Sequence, residues 1–149
     1  IYNNTNYLVV LKTKNLKIKK VEELKGLKVS YNKKGYFGSE FEKAKKYFIS
    51  NSDANNTIRL RRLLNGRIDA ALIGGPKQLG LKMALGLNTE LKQNAHKFEI
   101  LPLEFSNPDY IAFSKTTNNK QYLKELNKII NKLHKDGTIQ KIIDKYNNK

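Results

Sequence analysis

The sequence predicts an α/β fold, a mostly parallel sheet flanked by helices. Three observations carry that expectation. Short apolar and β-branched runs read as strands: YLVVLK at 7–12, LKVSY at 27–31, IDAALI at 68–73 and KFEILPLE at 97–104. Stretches between them carry apolar residues at helical spacing. One of the strands, IDAALI, is nearly all apolar, as in a strand covered on both faces. Strands alternating with helices build a sheet between helical layers.

Taken in order, the first strand is followed by polar residues and by Val21 to Leu24, a helical turn that Gly26 ends. Next to the second strand stands KKGYFGSEFEKAKKYF, residues 33–48. Two aromatics lie between two glycines, and Ser39 suits an N-cap or first-turn position. Glu40 and Glu42 fall in the first turn, where the helix dipole favours acids. Phe41, Ala44 and Phe48 share one helical face. SNSDANN at 50–56 reads as a polar break. A second helix is expected from about Ala54 to Asn65, with Ile58, Leu60, Leu63 and Leu64 as its apolar residues and Gly66 as its stop. Gly74, Gly75 and Pro76 break the IDAALI strand, and a helix follows over about Lys77 to Leu85. DYIAFSK, 109–115, reads as a further short strand. Tyr122, Leu126, Ile129, Ile130 and Leu133 then recur at helical spacing. Gly137 suits a left-handed C′ position, and Thr138 caps a last helix carrying Ile139, Ile142, Ile143 and Tyr146 on one face. These two apolar stripes require a partner surface.

Composition narrows the function classes. The 149 residues match the length of one ordinary domain, and 39% are hydrophobic. No run reaches the ~18 apolar residues of a membrane helix. The chain has no cysteine, which excludes disulfides and thiolate metal sites, and two histidines cannot build a zinc site alone. The formal charge of +16 fits a binder of nucleic acid or of an anionic surface, or a lysine-rich solvated surface. Arginine, whose planar fork suits phosphate and base recognition, stands only at 59, 61, 62 and 67, so the solvated surface is favoured. The arginines read as an anion patch or, for some of them, as the solvated face of an amphipathic helix. Asp69 reads as a strand-boundary residue, and His96 and His134 as surface and helix-end residues. No GxSxG, P-loop or HExxH motif appears, so no enzyme is expected.

Four stretches in order carry a resemblance: VEELKGLKVSYN, GYFGSEFEKA, RLLNGRIDAALIGG, and DYIAFSK followed by LKELNKIINKLHKDGTIQKIIDKY. Together they resemble the type II extracellular solute-binding proteins that serve amino-acid ABC importers. The resemblance covers nearly the whole chain, but only about the last three fifths of such a protein. It implies a periplasmic-binding-protein-like type II lobe. Residues 1–8 would form the first inter-lobe crossing and 9–106 the second lobe. Residues 107–149 would form the second crossing and a helical tail belonging to lobe one, whose remainder is not in this sequence. A fragment, a processed protein or a reduced form is therefore expected, and an uncovered tail would favour a homodimer or swapped assembly.

The resemblance also implies a site. In the family, the turn after the second strand binds the ligand's α-carboxylate through backbone N–H groups. Independently, a helix N-terminus attracts anions, and Gly38 lets a ligand approach the backbone. Tyr36 and Phe37 read either as pocket walls or as rings packed on the core. Tyr36, Phe37, Gly38, Ser39, Gly74 and Gly75 are the candidate ligand-binding residues. At Gly74 the family usually carries an acid that pairs with the ligand's ammonium. Glycine supplies only backbone there, so either the ligand lacks an ammonium, or another acid such as Glu40 replaces it, or that ligand class is lost. The expectation is a periplasmic or extracellular protein that binds a small polar or amino-acid-like molecule for ABC importer membrane subunits. No cofactor, metal or nucleic acid is implied. The alternatives are a ligand-sensing receptor domain and a basic nucleic-acid or anionic-surface binder.

Overall fold

The computed structural model describes residues 3–75, 77–116 and 119–147. The chain divides into two compact units, Asn3–Pro108 and a second that includes Asp109–Lys149.

In the first unit the strands are β1 (Asn3–Leu11), β2 (Lys28–Tyr31), β3 (Ile49–Ser52), β4 (Ala70–Gly74) and β5 (Phe98–Pro108). They form one sheet in the order β3-β2-β4-β1-β5. β2 runs parallel to both β3 and β4, whereas β1 is antiparallel to β4 and to β5. The parallel expectation thus holds for β3-β2-β4; β1 alone reverses direction, and β5, antiparallel to β1, runs the same way as β4. The helices of this unit are α1 (Ser39–Ala44), α2 (Asn56–Leu64), α3 (Lys77–Gly86) and α4 (Thr89–Gln93).

The apolar code of the middle strands is a two-face code. Side chains alternate across a strand. Leu8 and Val10 of β1 and Ala70 and Leu72 of β4 therefore enter one core, with Phe41, Phe48 and Phe105. Tyr7 and Val9, with Ala71 and Ile73, enter the other, against Leu60 and Leu63 of α2, Leu81 of α3 and Leu91 of α4. Each large side chain fully buried this way contributes roughly 1.5–3 kcal/mol. On the outer strand β5 the register against β1 shifts between Tyr7 and Val9. Pro102 lies in that irregular stretch, where a missing N–H is tolerated on an edge strand.

Several expectations are corrected. Residues 50–56 are not simply a polar break: Ile49–Ser52 is β3. It is a mostly exposed edge strand, so pairing with β2 and not burial selects its conformation. α1 ends at Ala44, and a turn beyond it, with the Tyr47 N–H donating to the Ala44 carbonyl at 2.9 Å, delivers Phe48 to the core. α4 has no counterpart in the sequence reading; Asn88 caps it by accepting from the Leu91 N–H at 3.1 Å. DYIAFSK is not a strand. β5 ends at Pro108, and among the described residues no strand pairs with 109–115. Tyr110 and Ile111 are exposed.

The second unit contains α5 (Lys120–Lys135) and α6 (Thr138–Asn147). Gly137 takes the expected left-handed conformation between them, at φ 75°. The Asp136 carboxylate accepts from the Thr138 N–H at 3.0 Å, so the acid and not Thr138 supplies the side-chain cap of α6. Tyr122, Ile129 and Ile142 are each about half exposed within this unit.

Candidate functional site

The carboxyl ends of β2 and β4, the start of β1 and the end of β5 meet at one edge of the sheet. Asn6 pairs in register with Gly74 on one side and with Phe105 on the other, and Thr5 with Ser106. Crevices at the carboxyl ends of parallel strands are common ligand sites in α/β folds.

Gly38 explains the local geometry. It is the N-cap of α1, at φ 97°, which a side chain rarely adopts. A Cβ there would collide with the Ser106 carbonyl and lie 3.8 Å from the Asn107 Cβ. The glycine therefore lets the start of α1 approach β5. No side chain caps the first turn of α1, so its backbone donors remain for another acceptor. Gly35 serves a different contact: its missing Cβ makes room for the Phe37 ring, whose tip would lie 2.5 Å away.

The two rings separate. Phe37 is half-buried and packs edge-on against Tyr31 and Phe41, with centroids 6.1 and 5.2 Å apart. Tyr36 is 62% exposed. Of the pair, only Tyr36 offers most of its ring to solvent. Ser39 is the first residue of α1, and it is exposed.

Two amides join this edge that sequence reasoning missed. Asn6 is 2% exposed, and its Nδ2 donates to Asn107 Oδ1 at 3.2 Å. A Cβ on Gly74 would come within 3.0 Å of Asn6 Oδ1, so the amide stands directly against the glycine. The Gly75 N–H donates to the Thr5 carbonyl at 2.9 Å, and Gly75 has φ 105°. Gly38, Gly74 and Gly75 are thus brought together through Asn6, Ser106 and Asn107. The available signal was the density of amides at NNTN, 3–6, and at Asn107. Pro76 lies outside the described residues.

Behind the edge, Tyr7 is fully buried and its hydroxyl has no hydrogen-bond partner, although it faces the Leu81 backbone N–H. Burial pushes this phenol well above its ordinary pKa. Glu40, the possible substitute acid, is exposed at the first turn of α1.

The other candidates have structural duties. Asp69 accepts from the Lys28 N–H at 2.9 Å and pairs with Lys14 at 3.3 Å. Arg61 pairs with Glu90 at 3.0 Å. Arg62 donates to Asp53 at 2.7 Å. Arg59 is not on a wet face at all: it is 3% exposed and donates to the Leu72 carbonyl and to Asn56. His96 lies in the short 3-10 turn Ala95–Lys97, and His134 in the last turn of α5.

Solved structures share this architecture. An ancestral arginine-binding protein bound to arginine is 30% identical, with a TM-score of 0.62 over 97% of this chain and 60% of its own. The substrate-binding protein AbpA of an amino-acid ABC transporter from Streptococcus pneumoniae, bound to L-arginine, is 22% identical, with a TM-score of 0.65 over 99% of this chain and 58% of its own. The fold is that of the type II solute-binding proteins. The ligand-binding core of GluR0 in complex with L-glutamate, 14% identical, shares it with a TM-score of 0.68. This chain spans about three fifths of the length of these solute-binding relatives. No family model and no curated protein matches it.

Proposed function

We propose that this chain provides the second-lobe side of an extracytoplasmic solute-binding protein that delivers a small polar or amino-acid-like ligand to an ABC importer. One observation carries the reading. Gly38, Gly74 and Gly75 converge with Asn6 and Asn107 at the carboxyl edge of β2 and β4, on a type II fold. In this reading the uncapped first turn of α1, with Ser39, receives the ligand's anionic group. Tyr36 forms an outer wall, and Phe37 supports the turn from behind. The neighbour of Gly74 is the neutral acceptor Asn6, so this edge favours a hydrogen-bonded polar group over a tightly paired ammonium.

Gly38→Val is a poor test, because its side chain would strain the backbone and strike Ser106. Tyr36 and Asn107 are better probes. Titration of the isotope-labelled chain with L-arginine, L-glutamine and L-glutamate is expected to move backbone amide resonances at 36–39, 74–75 and 6. Tyr36→Ala and Asn107→Ala are expected to weaken the response while leaving the rest of the spectrum in place. Shifts confined to other surfaces, or none with any of the three, would overturn the assignment. The likeness to the GluR0 core favours one second reading, a ligand-sensing receptor domain using the same edge.

A further inference from the structure

The Asn3–Pro108 unit carries another cavity, whose lining begins at Leu81, directly after the Gly80 that packs against Gly74 and Gly75. It measures about 500 Å³ and lies between α3, α4 and the first residue of β5. Phe98, at its base, pairs with Leu11 of β1, whereas the candidate site is organised around Asn6. Five strand residues separate these positions, roughly 17 Å at the usual rise. The volume lies within the range of ~300–1,000 Å³ typical of small-molecule sites.

Its chemistry is asymmetric. The floor is Leu81, Leu85 and Phe98, all of which also belong to the core beneath α3. The rim carries Lys82 from α3 and Lys92 from α4, both exposed. No lining residue is acidic, and among the described residues neither lysine has an ion-pair partner. A Cβ on Gly86 would meet nothing within 4 Å, so this wall is open for lack of a side chain.

We infer that this cavity binds a small amphiphile with a carboxylate head and an unbranched apolar tail. The tail lies along the apolar stems of Lys82 and Lys92 and covers what remains open of Leu81, Leu85 and Phe98, each only 5–8% exposed, and removing that apolar surface from water contributes to binding. The head sits between Lys82 and Lys92, whose charges reject a cationic head of the same length. The net charge of +16 raises the local concentration of such anions.

Decanoate, below its micelle-forming concentration, is the test ligand, and decyltrimethylammonium the control. Calorimetry on the full chain should show saturable decanoate binding and weaker binding of the cation. Amide shifts should concentrate at 81–98. Lys82→Gln and Lys92→Gln should each weaken decanoate binding about two- to fivefold, the range of a partly solvated ion pair. Gly86→Phe should occupy the cavity and abolish binding. The lysine variants keep the test decisive if that larger substitution disturbs folding. The inference is overturned by absent or non-saturable decanoate binding, by equal affinity for both head groups, or by unchanged affinity in a folded Gly86→Phe chain.

Discussion

Asp53 concentrates the polar energetics of the Asn3–Pro108 unit in one side chain. It follows β3 and is 6% exposed. Its carboxylate accepts from the Ser30 hydroxyl and from Arg62 at 2.7 Å, while its carbonyl faces Arg59 at 3.4 Å. Burial lowers the Arg59 pKa to about 10, an effect that Asp53 opposes, so the guanidinium stays charged at neutral pH. Arg59 Nε has no partner, which makes this cation dependent on its remaining contacts. Asp53→Ala would leave a buried cation without its counter-charge, and a loss of about 3 kcal/mol is expected. By contrast, the Lys45–Glu42 pair lies at the surface, with side chains 28% and 39% exposed, and Glu42→Ala should cost less than about 1 kcal/mol. Urea unfolding of the two variants checks the order. Equal midpoints would show that the Asp53 network contributes no more than a surface pair.

Among the elements, the short turns are held by acids whose titration is visible. Glu23 accepts from the Lys19 N–H at 2.6 Å and from the Lys20 N–H at 3.0 Å, closing the start of the 3-10 turn Val21–Leu24. The Lys19 N–H and then the Lys20 N–H favour the ionised form, so the folded pKa is lowered. The unfolded carboxyl titrates near ~4.3. The folded protein thus holds its proton less readily, and the stabilisation is fully present above that value. It disappears as pH falls through the lower folded pKa. Glu23→Gln should therefore reduce stability at pH 7 and flatten its decline below about pH 4. Thermal melts of both proteins across that window check the sign; parallel curves would refute the role of Glu23. Such caps bear on what the sequence made legible. Periodicity gave β1, β2, β4, the core of β5 and the helices α2 and α3, because each buries a face that hydrophobic spacing reveals; α5 and α6 carry the same spacing although none of their described residues is buried. β3 was hidden because an exposed edge strand needs no apolar residues. DYIAFSK misled in the opposite sense, since an apolar run forms a strand only beside another strand. At the candidate edge, Gly38 and Gly74 could be picked out as unusual positions. The reason for Gly38, the Ser106 carbonyl, lies 68 positions away and has no local signature. Phe37 shows the same limit: only packing distinguishes a pocket wall from a core ring.

At the scale of the whole molecule, charge is the dominant unsatisfied quantity. The sequence carries 29 lysines and arginines against 13 acids. The ion pairs among the described residues, Lys14–Asp69, Lys45–Glu42, Arg61–Glu90 and Arg62–Asp53, engage few of those cations. Most of the positive charge is therefore balanced only by solvent ions, and its mutual repulsion opposes compaction. Salt acts on this repulsion and on the exposed pairs in opposite directions. The exposed pairs are few and contribute about 0–1 kcal/mol each, and the partly buried Arg62–Asp53 pair is screened much less, so weakening the pairs costs little. The repulsion is summed over many lysines, and the screening length falls from ~30 Å at ~0.01 M to ~10 Å at ~0.1 M. The melting midpoint is therefore expected to rise over that range of sodium chloride. Sodium sulfate at matched ionic strength separates general screening from occupation of a discrete anion site. Screening predicts similar curves at these low concentrations. A sulfate curve that saturates early and lies well above chloride would assign the gain to a bound anion instead. A midpoint that stays constant or falls with salt would show that the lysines are already far enough apart for their repulsion not to matter.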